Sequence, residues 1–523
     1  MSSTPSNIDT VPNNAPSPDE LPQTSVLVVF IGLLVAMTVG ALDQTIVATA
    51  LPTIVGELGG VNHLLWVVTA YVLAATITMP IYGKMGDLIG RKGLFIGALV
   101  LFIAGSVVCG LSTSMGGLIV GRAVQGLGGG GLMILSQAIV ADIVPPRKRA
   151  MYLSAMGIAY AVPMLAGPLL GGLFTDTIGW RWAFWINVPL ALVAIGTAVA
   201  FLPKPRRTVE KAHFDTWGTV TLVVAVTALT LATSWGGVEY AWDSPVIVAL
   251  LATVVVAGVL FAVAERHAKE PLMALSLFKN RNFNICTVAG FVTTFVMMGV
   301  LTYLPTYLQI VDGMSATAAG YMEVPMNVAW FAASLASGYA VSKLGTYKKL
   351  MVASFGILVV GVGALTFITS GTPVAFIGAL LAIVGFGIGL NFEILVLIVQ
   401  NEFAASDVGM ATAATNFFRE VGTTLGTSIV GALFTSGLAR TLTENLASVG
   451  GTDALGVDAN SLTPAIVHAL PQAVRDAVGV AYNDALVPVF WFMLPLALIG
   501  LALLLFLRET PLATTVEDSG RMS

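Results

Sequence analysis

The sequence predicts an all-α integral membrane protein with fourteen transmembrane helices, on three observations. Of the 523 residues, 56% are hydrophobic and only 10% charged, whereas a soluble domain carries about 25% charged residues. The mean hydropathy is +0.89. The apolar residues also form continuous runs of about 20, the length a helix needs to cross about 30 Å of hydrocarbon. Lipid tolerates no unpaired backbone, and a barrel would show alternation instead of runs, so the spans are read as helices.

In chain order, residues 1–25 are rich in Ser, Pro, Asn and Asp without Lys or Arg. They read as a disordered tail and not as a signal peptide. Six apolar runs follow, near 26–47, 64–82, 93–112, 115–141, 151–174 and 183–202. Two further runs, 216–234 and 245–264, lie within the linker region 203–283. Another six come near 284–305, 317–341, 350–369, 373–398, 408–434 and 486–507. Between the last two, the outer segment 438–485 leads into an amphipathic stretch, Pro464 to Leu486, with Ser461 or Thr463 as its cap, read as a surface helix. A second tail, 508–523, closes the chain.

Orientation follows from the basic residues, because loops rich in Lys and Arg stay on the cytoplasmic side. With the N-terminus inside, nineteen of the 24 Lys and Arg fall in inner loops and the C-terminal tail, and only Arg181, Arg440 and Arg475 in outer loops. Arg122 and Arg419 remain, both within spans. Both termini are therefore expected in the cytoplasm of a multi-pass plasma-membrane protein.

Several function classes are excluded at this stage. The formal charge of −4 and the absence of a basic run argue against a nucleic-acid partner. GLGGGG, Gly126 to Gly131, matches part of a dinucleotide motif but sits inside an apolar span with no preceding strand. A GxxxxGK[ST] phosphate loop, metal-ligand spacing and a convergent Ser, His and Asp set are all absent from the sequence, so an enzyme and a bound cofactor or metal are not expected. Any pumping by this chain would therefore draw on an ion gradient, for which protons are the expected carrier, or on a separate partner.

Six ionisable residues lie inside predicted spans: Asp43, Arg122, Glu323, Glu393, Arg419 and Glu420. Unpaired, each would cost about 2.5–3.5 kcal/mol near a helix centre, so they must face protein or water. At about 1.5 Å of rise per residue, Asp43 stands about 25 Å above the inner surface and Arg122 about 10 Å below the outer one, within about a helical turn of each other. They are expected to pair, with Asp43 alternating between the guanidinium and a proton in preference to a static salt bridge that only holds two helices. Glu393 and Arg419, at about 12 and 16 Å, are expected to form a second pair, either coupling protons or holding helices together. Glu323 starts a face on which Asn327, Trp330 and Phe331 follow at i+4, i+7 and i+8. A carboxylate, an amide and two aromatic rings suit a lipophilic cation, although Trp330 and Phe331 fit packing or lipid-facing roles equally well, and Glu323 is also a candidate for proton coupling.

Several segments together resemble the major facilitator superfamily, and specifically its fourteen-span drug:proton antiporters of the EmrB/QacA type. They are LDQTIVATALP from Leu42, GKMGDLIGRK from Gly83, GRAVQG from Gly121, GIAYAVPMLAGPLLGG from Gly157, WRWAFWINVP from Trp180, YLPTYLQ from Tyr303 and NFFREVG from Asn416. The resemblance runs from about 26 to 511. It implies the major facilitator fold: an N-terminal six-helix bundle, 26–202, a C-terminal one, 284–507, and two inserted helices between them, rocking about a central site. It also implies a conformational latch at Gly83, Asp87, Gly90 and Arg91, proton handling at Arg122, and an antiporter motif at Gly157, Gly167, Pro168, Gly171 and Gly172. In the second half, Ser342 stands where the first half has Asp87, so the matching latch is degraded.

The function expected is proton-coupled export of amphipathic, mostly cationic drugs by alternating access. Export of lipids or a native metabolite is the alternative, and a non-transporting receptor or scaffold a weaker one. Expected partners are membrane lipids, protons and the small amphipathic substrate, with a periplasmic adaptor only in a cell with two membranes.

Overall fold

The computed structural model describes residues 23–59, 63–202, 213–449 and 464–512. The expected caps Ser461 and Thr463, most of the N-terminal tail (1–22), part of the linker (203–212) and the end of the C-terminal tail (513–523) lie outside the described residues.

The described chain is built from eighteen α-helices. In the first half these are α1 (Gln23–Leu58), α2 (Leu64–Ile89), α3 (Arg91–Leu111), α4 (Met115–Ile143), α5 (Pro146–Met156), α6 (Ile158–Leu173), α7 (Trp182–Trp185) and α8 (Asn187–Phe201). The inserted pair is α9 (Thr216–Trp235) and α10 (Pro245–His267). The second half comprises α11 (Arg281–Val311), α12 (Ala316–Tyr321), α13 (Val324–Leu344), α14 (Lys348–Leu365), α15 (Val374–Glu402), α16 (Val408–Leu446), α17 (Pro464–Ala469) and α18 (Gln472–Leu505). Several starts follow from capping side chains: Ser114, Asp215, Ser244, Asn280 and Ser315 each accept a backbone N–H of the first turn. The two-helix corner between α2 and α3 turns at Gly90, whose φ of 92° only glycine adopts freely.

Thirteen helical stretches among the described residues are long and apolar enough to cross a membrane. The tenth expected span departs from the prediction in two ways. It breaks at Met322 and Glu323, just ahead of Pro325, and its longer part, α13, falls below the apolarity of the other thirteen. The fifth span breaks at Gly157 into α5 and α6, and the sixth at Ile186 into α7 and α8. The amphipathic stretch at 464–486 is not one surface helix, because Pro464–Ala469 forms the short α17 by itself. From Gln472 it is the first part of α18 and runs straight into the last span.

Within the first half, α4 packs against α2 and α3, and α1 against α6 and α8. Within the second, α15 packs against α13 and α14, and α11 against α16 and α18. The halves meet along two seams. In one, α2 lies against α16; in the other, α13 lies against α5 and touches α6. Helix α9 covers the first seam, contacting both α2 and α16, through Trp66 and Trp235 rings 6.2 Å apart and a Ser428 hydroxyl 3.4 Å from the Thr233 carbonyl. Helix α10 packs mainly on α9, and only 11% of its most apolar window is buried, against 83% for α15. It is a lipid-facing outer helix.

The glycine run that mimics a dinucleotide motif has a packing reason. A Cβ at Gly126 would lie 2.4 Å from the Tyr71 carbonyl of α2, and one at Gly128 would lie 2.4 Å from the Ala98 carbonyl of α3. Helix α4 is thus gripped from both sides by bare backbone.

Candidate functional site

Four arrangements carry the chemistry. The first surrounds Asp43, which is fully buried on α1. Arg122 of α4, 1% exposed, donates through Nη1 to Asp43 Oδ2 and, at 2.8 Å, to Gln125 Oε1. Its Nε donates to the Val67 carbonyl at 3.1 Å, and its guanidinium lies 4.4 Å from the Tyr71 ring centre. Gln125 Nε2 and Asn187 Nδ2 both donate to Asp43 Oδ1, at 2.7 and 2.8 Å, and both reach Ser106 Oγ. The charges therefore sit in a network drawn from α1, α2, α3, α4 and α8. Besides Asp43, Arg122 has the amide oxygen of Gln125, the Val67 carbonyl and the Tyr71 face as partners.

The second arrangement corrects an expectation. Glu393 and Arg419 are both buried, at 1% and 3% exposure, yet no ion pair joins them among the described residues. Glu393 Oε2 instead accepts from Gln137 Nε2 of the other half at 3.3 Å, while Oε1 has no partner. Arg419 lies flat over the Phe392 ring at 3.4 Å and donates to Asn416 Oδ1 at 3.1 Å, leaving Nη2 unpartnered. Asn416 donates to Gln137 Oε1 at 2.9 Å, and Gln400 to Thr412 Oγ1 at 3.2 Å, so α4, α15 and α16 are stitched by amides. Matching heights put the two charges at one level, but the turn of each helix points them at different neighbours.

The third is the latch. Asp87, near the end of α2, accepts from Arg91 at 2.7 Å and from the backbone N–H groups of Gly409 and Met410 at 3.0 and 2.7 Å. A carboxylate from the first half thus caps the N-terminus of α16 in the second, where the helix dipole favours negative charge. Arg91 continues to Asp142 Oδ1 at 2.5 Å. Gly83 makes the approach possible, since a Cβ there would lie 2.7 Å from the Gly409 carbonyl. At the second seam the roles invert: Arg147, at the start of α5, donates to the carbonyls of Ser342 and Lys343 at the end of α13, at 3.1 and 2.9 Å.

The fourth is a cleft between α6 and α13, lined by Gly157, Tyr160, Met164, Asn327, Trp330 and Phe331. Glu323 does not line it. It sits at the helix break ahead of α13, with only its backbone engaged, so the expected shared face keeps its amide and rings and loses its carboxylate. Of the antiporter motif, Gly167 and Gly171 meet Thr45 and Thr49 of α1, Pro168 is exposed, Gly172 faces open space, and Gly157 opens on the cleft.

Sequence reading missed Ser106, Gln125 and Asn187 around Asp43, and Gln137, Gln400 and Asn416 around Glu393. Gln125 and Asn187 do lie inside segments that carry the resemblance, at i+3 from Arg122 and in WINVP. Uncharged amides in apolar spans are the signal that finds them.

These features define a multi-pass membrane transport protein. A profile of the Major Facilitator Superfamily matches residues 33–427, and the chain belongs to that superfamily. It is 40% identical to an uncharacterized MFS-type transporter of Mycobacterium tuberculosis, over 94% of this chain and 71% of that protein. It is 36% identical to the multidrug transporter protein MdtP of Bacillus subtilis over 82% of this chain and 79% of that protein. Multidrug resistance protein 3 of the same bacterium is 32% identical, over 95% and 98% of the two chains. Among solved structures, the proton:xylose symporter XylE shares the fold at a TM-score of 0.63 and 13% identity, covering 96% of this chain and all of that one.

Proposed function

We propose that this protein exports amphipathic, mostly cationic compounds in exchange for protons, by alternating access between an N-terminal unit, 26–202, and a C-terminal unit, 284–507, with fourteen spans and both termini in the cytoplasm. The observation that carries this reading is the Asp43 network: a buried carboxylate with three side-chain donors, set beside an arginine that has further partners of its own. Asp43 is the coupling residue and Arg122 its counter-charge. Glu393 and Arg419 form a second charged element at the seam, and the Asp87–Arg91 latch holds the basic end of the halves together. Relatives named as multidrug transporters support the class of cargo.

The test is proteoliposomes carrying an imposed pH gradient, to which ethidium is added, with wild type and Asp43→Asn in parallel. Wild type is expected to dissipate the gradient on cation addition and Asp43→Asn to leave it standing. Wild type that moves no protons with any cation refutes the reading and turns attention to lipids or metabolites as cargo.

A further inference from the structure

Both side-chain hydrogen bonds of Gln137 cross from one half of the molecule to the other. The residue is fully buried on α4; its Nε2 donates to Glu393 Oε2 of α15 at 3.3 Å, and its Oε1 accepts from Asn416 Nδ2 of α16 at 2.9 Å. Its backbone carbonyl also accepts from Gln400 Nε2 of α15 at 3.3 Å. A glutamine inside an apolar span is costly unless its amide is satisfied, and this one is satisfied only while the halves are together. One turn away on the same face of α4, Ile134 packs with Met79 of α2 and Ala413 of α16 in a small apolar cluster of its own.

Depth gives the arrangement a direction. At about 1.5 Å per residue, Gln137 stands about 9 Å above the inner end of α4 and Glu393 about 14 Å above that of α15. The contacts of Asp87 with Gly409 and Met410 lie below both. A proton coming from the cytoplasm therefore meets the latch first, then Gln137, then Glu393. Glu393 is 1% exposed, and the contact with Gln137 is its side chain's only hydrogen bond among the described residues. Arg419 is the charge that acts on it, without an ion pair, and Glu420 of α16 and Tyr160 of α6 complete the titratable groups around the two.

Resting on the export reading above, we infer that Gln137 is a positioning residue of an inner gate: its bonds to Glu393, Gln400 and Asn416 hold the seam shut and keep Glu393 from cytoplasmic protons until the halves part. Opening removes the partner of Glu393 and uncovers its carboxyl in one movement, so proton exchange there and opening of the gate are a single event.

The experiment places spin labels on the full chain in nanodiscs, at Lys148→Cys and Ser406→Cys, exposed positions at the inner ends of the two halves, and measures the distance between them. The native Cys109 and Cys286 are both buried. The variants are made alone and on Asp87→Asn, which weakens the latch so that a shift is measurable. On that background Gln137→Ala, which loses both side-chain bonds, is expected to raise the open fraction about tenfold. Gln137→Glu combined with Glu393→Gln again sets an N–H against a carboxylate and is expected to restore closure, which Gln137→Glu alone does not. In proteoliposomes under a pH gradient without ethidium, Gln137→Ala is expected to leak protons about tenfold faster than wild type, and Glu393→Gln added to it to stop the leak. An unchanged distance in Gln137→Ala, or an exchanged pair that stays as open as Gln137→Ala, overturns the gate. A leak that is absent, or that persists without the Glu393 carboxyl, overturns the sealing of Glu393. Wild type that moves no protons with ethidium defeats the export reading and leaves the distance result standing, so the two failures are told apart.

Discussion

Asp43 with Arg122 and Glu393 with Arg419 look alike in the sequence: an acid and a base on separate spans, at matching heights. In the folded chain they are opposites. The first set sits within one half, and every oxygen of Asp43 and Arg122 Nε and Nη1 find partners. The second lies where the halves meet, has no direct ion pair, and leaves Glu393 Oε1 and Arg419 Nη2 unpaired. A network closed within one half does not depend on how the halves meet, whereas the contacts of Glu393 are made across the seam and do.

The contrast can be broken first at Arg122. Arg122→Ala leaves Asp43 buried without its counter-charge, and is expected to lower unfolding stability in detergent by about 3–5 kcal/mol. Arg419→Ala removes an arginine that already lacks an ion partner and loses mainly its stacking on Phe392, for about 1–2 kcal/mol. Equal losses for the two arginines would erase the distinction. Glu393→Gln keeps the contact with Gln137 and is expected to shift unfolding by less than about 1 kcal/mol, while changing the dependence of ethidium transport on pH. A pH profile identical to wild type would make Glu393 a structural residue only.

The smallest effect is expected outside the membrane, at Asp312, where a carboxylate oxygen is again buried without a partner. Burial raises its pKa above the ordinary carboxylate value, and Oδ2 has no partner. His468, Arg475 and Asp476 line the same groove. A group with a raised folded pKa stabilises the fold at acid pH and loses that contribution as pH rises through the folded value. Asp312→Asn is therefore expected to raise the melting temperature slightly at neutral pH, within about 0.5 kcal/mol because solvent screens the site, and to leave it unchanged near pH 4.

The positions of the spans, and the meeting of Asp43 with Arg122, were legible because run length and rise along a helix are one-dimensional quantities. What was not legible depends on rotation and on tertiary contact. Height alone placed Glu393 beside Arg419, but the azimuth of α15 sends it to Gln137 on α4. The breaks at Gly157 and Met322 were hidden because the apolar runs read at 151–174 and 317–341 continue through them. Amides such as Gln125, Asn187 and Asn416 carry no charge to draw the eye, and only neighbours from distant segments reveal their work.

Helix α9 lies across one seam and nothing comparable lies across the other among the described residues. The molecule is in that respect like a book, bound along one edge and free along the opposite one. Motion of the halves would open the free edge more than the bound one, and cargo too long for the interior could trail into the membrane on one side only. Trp66 and Trp235, which join α2 to α9, are stitches in that spine.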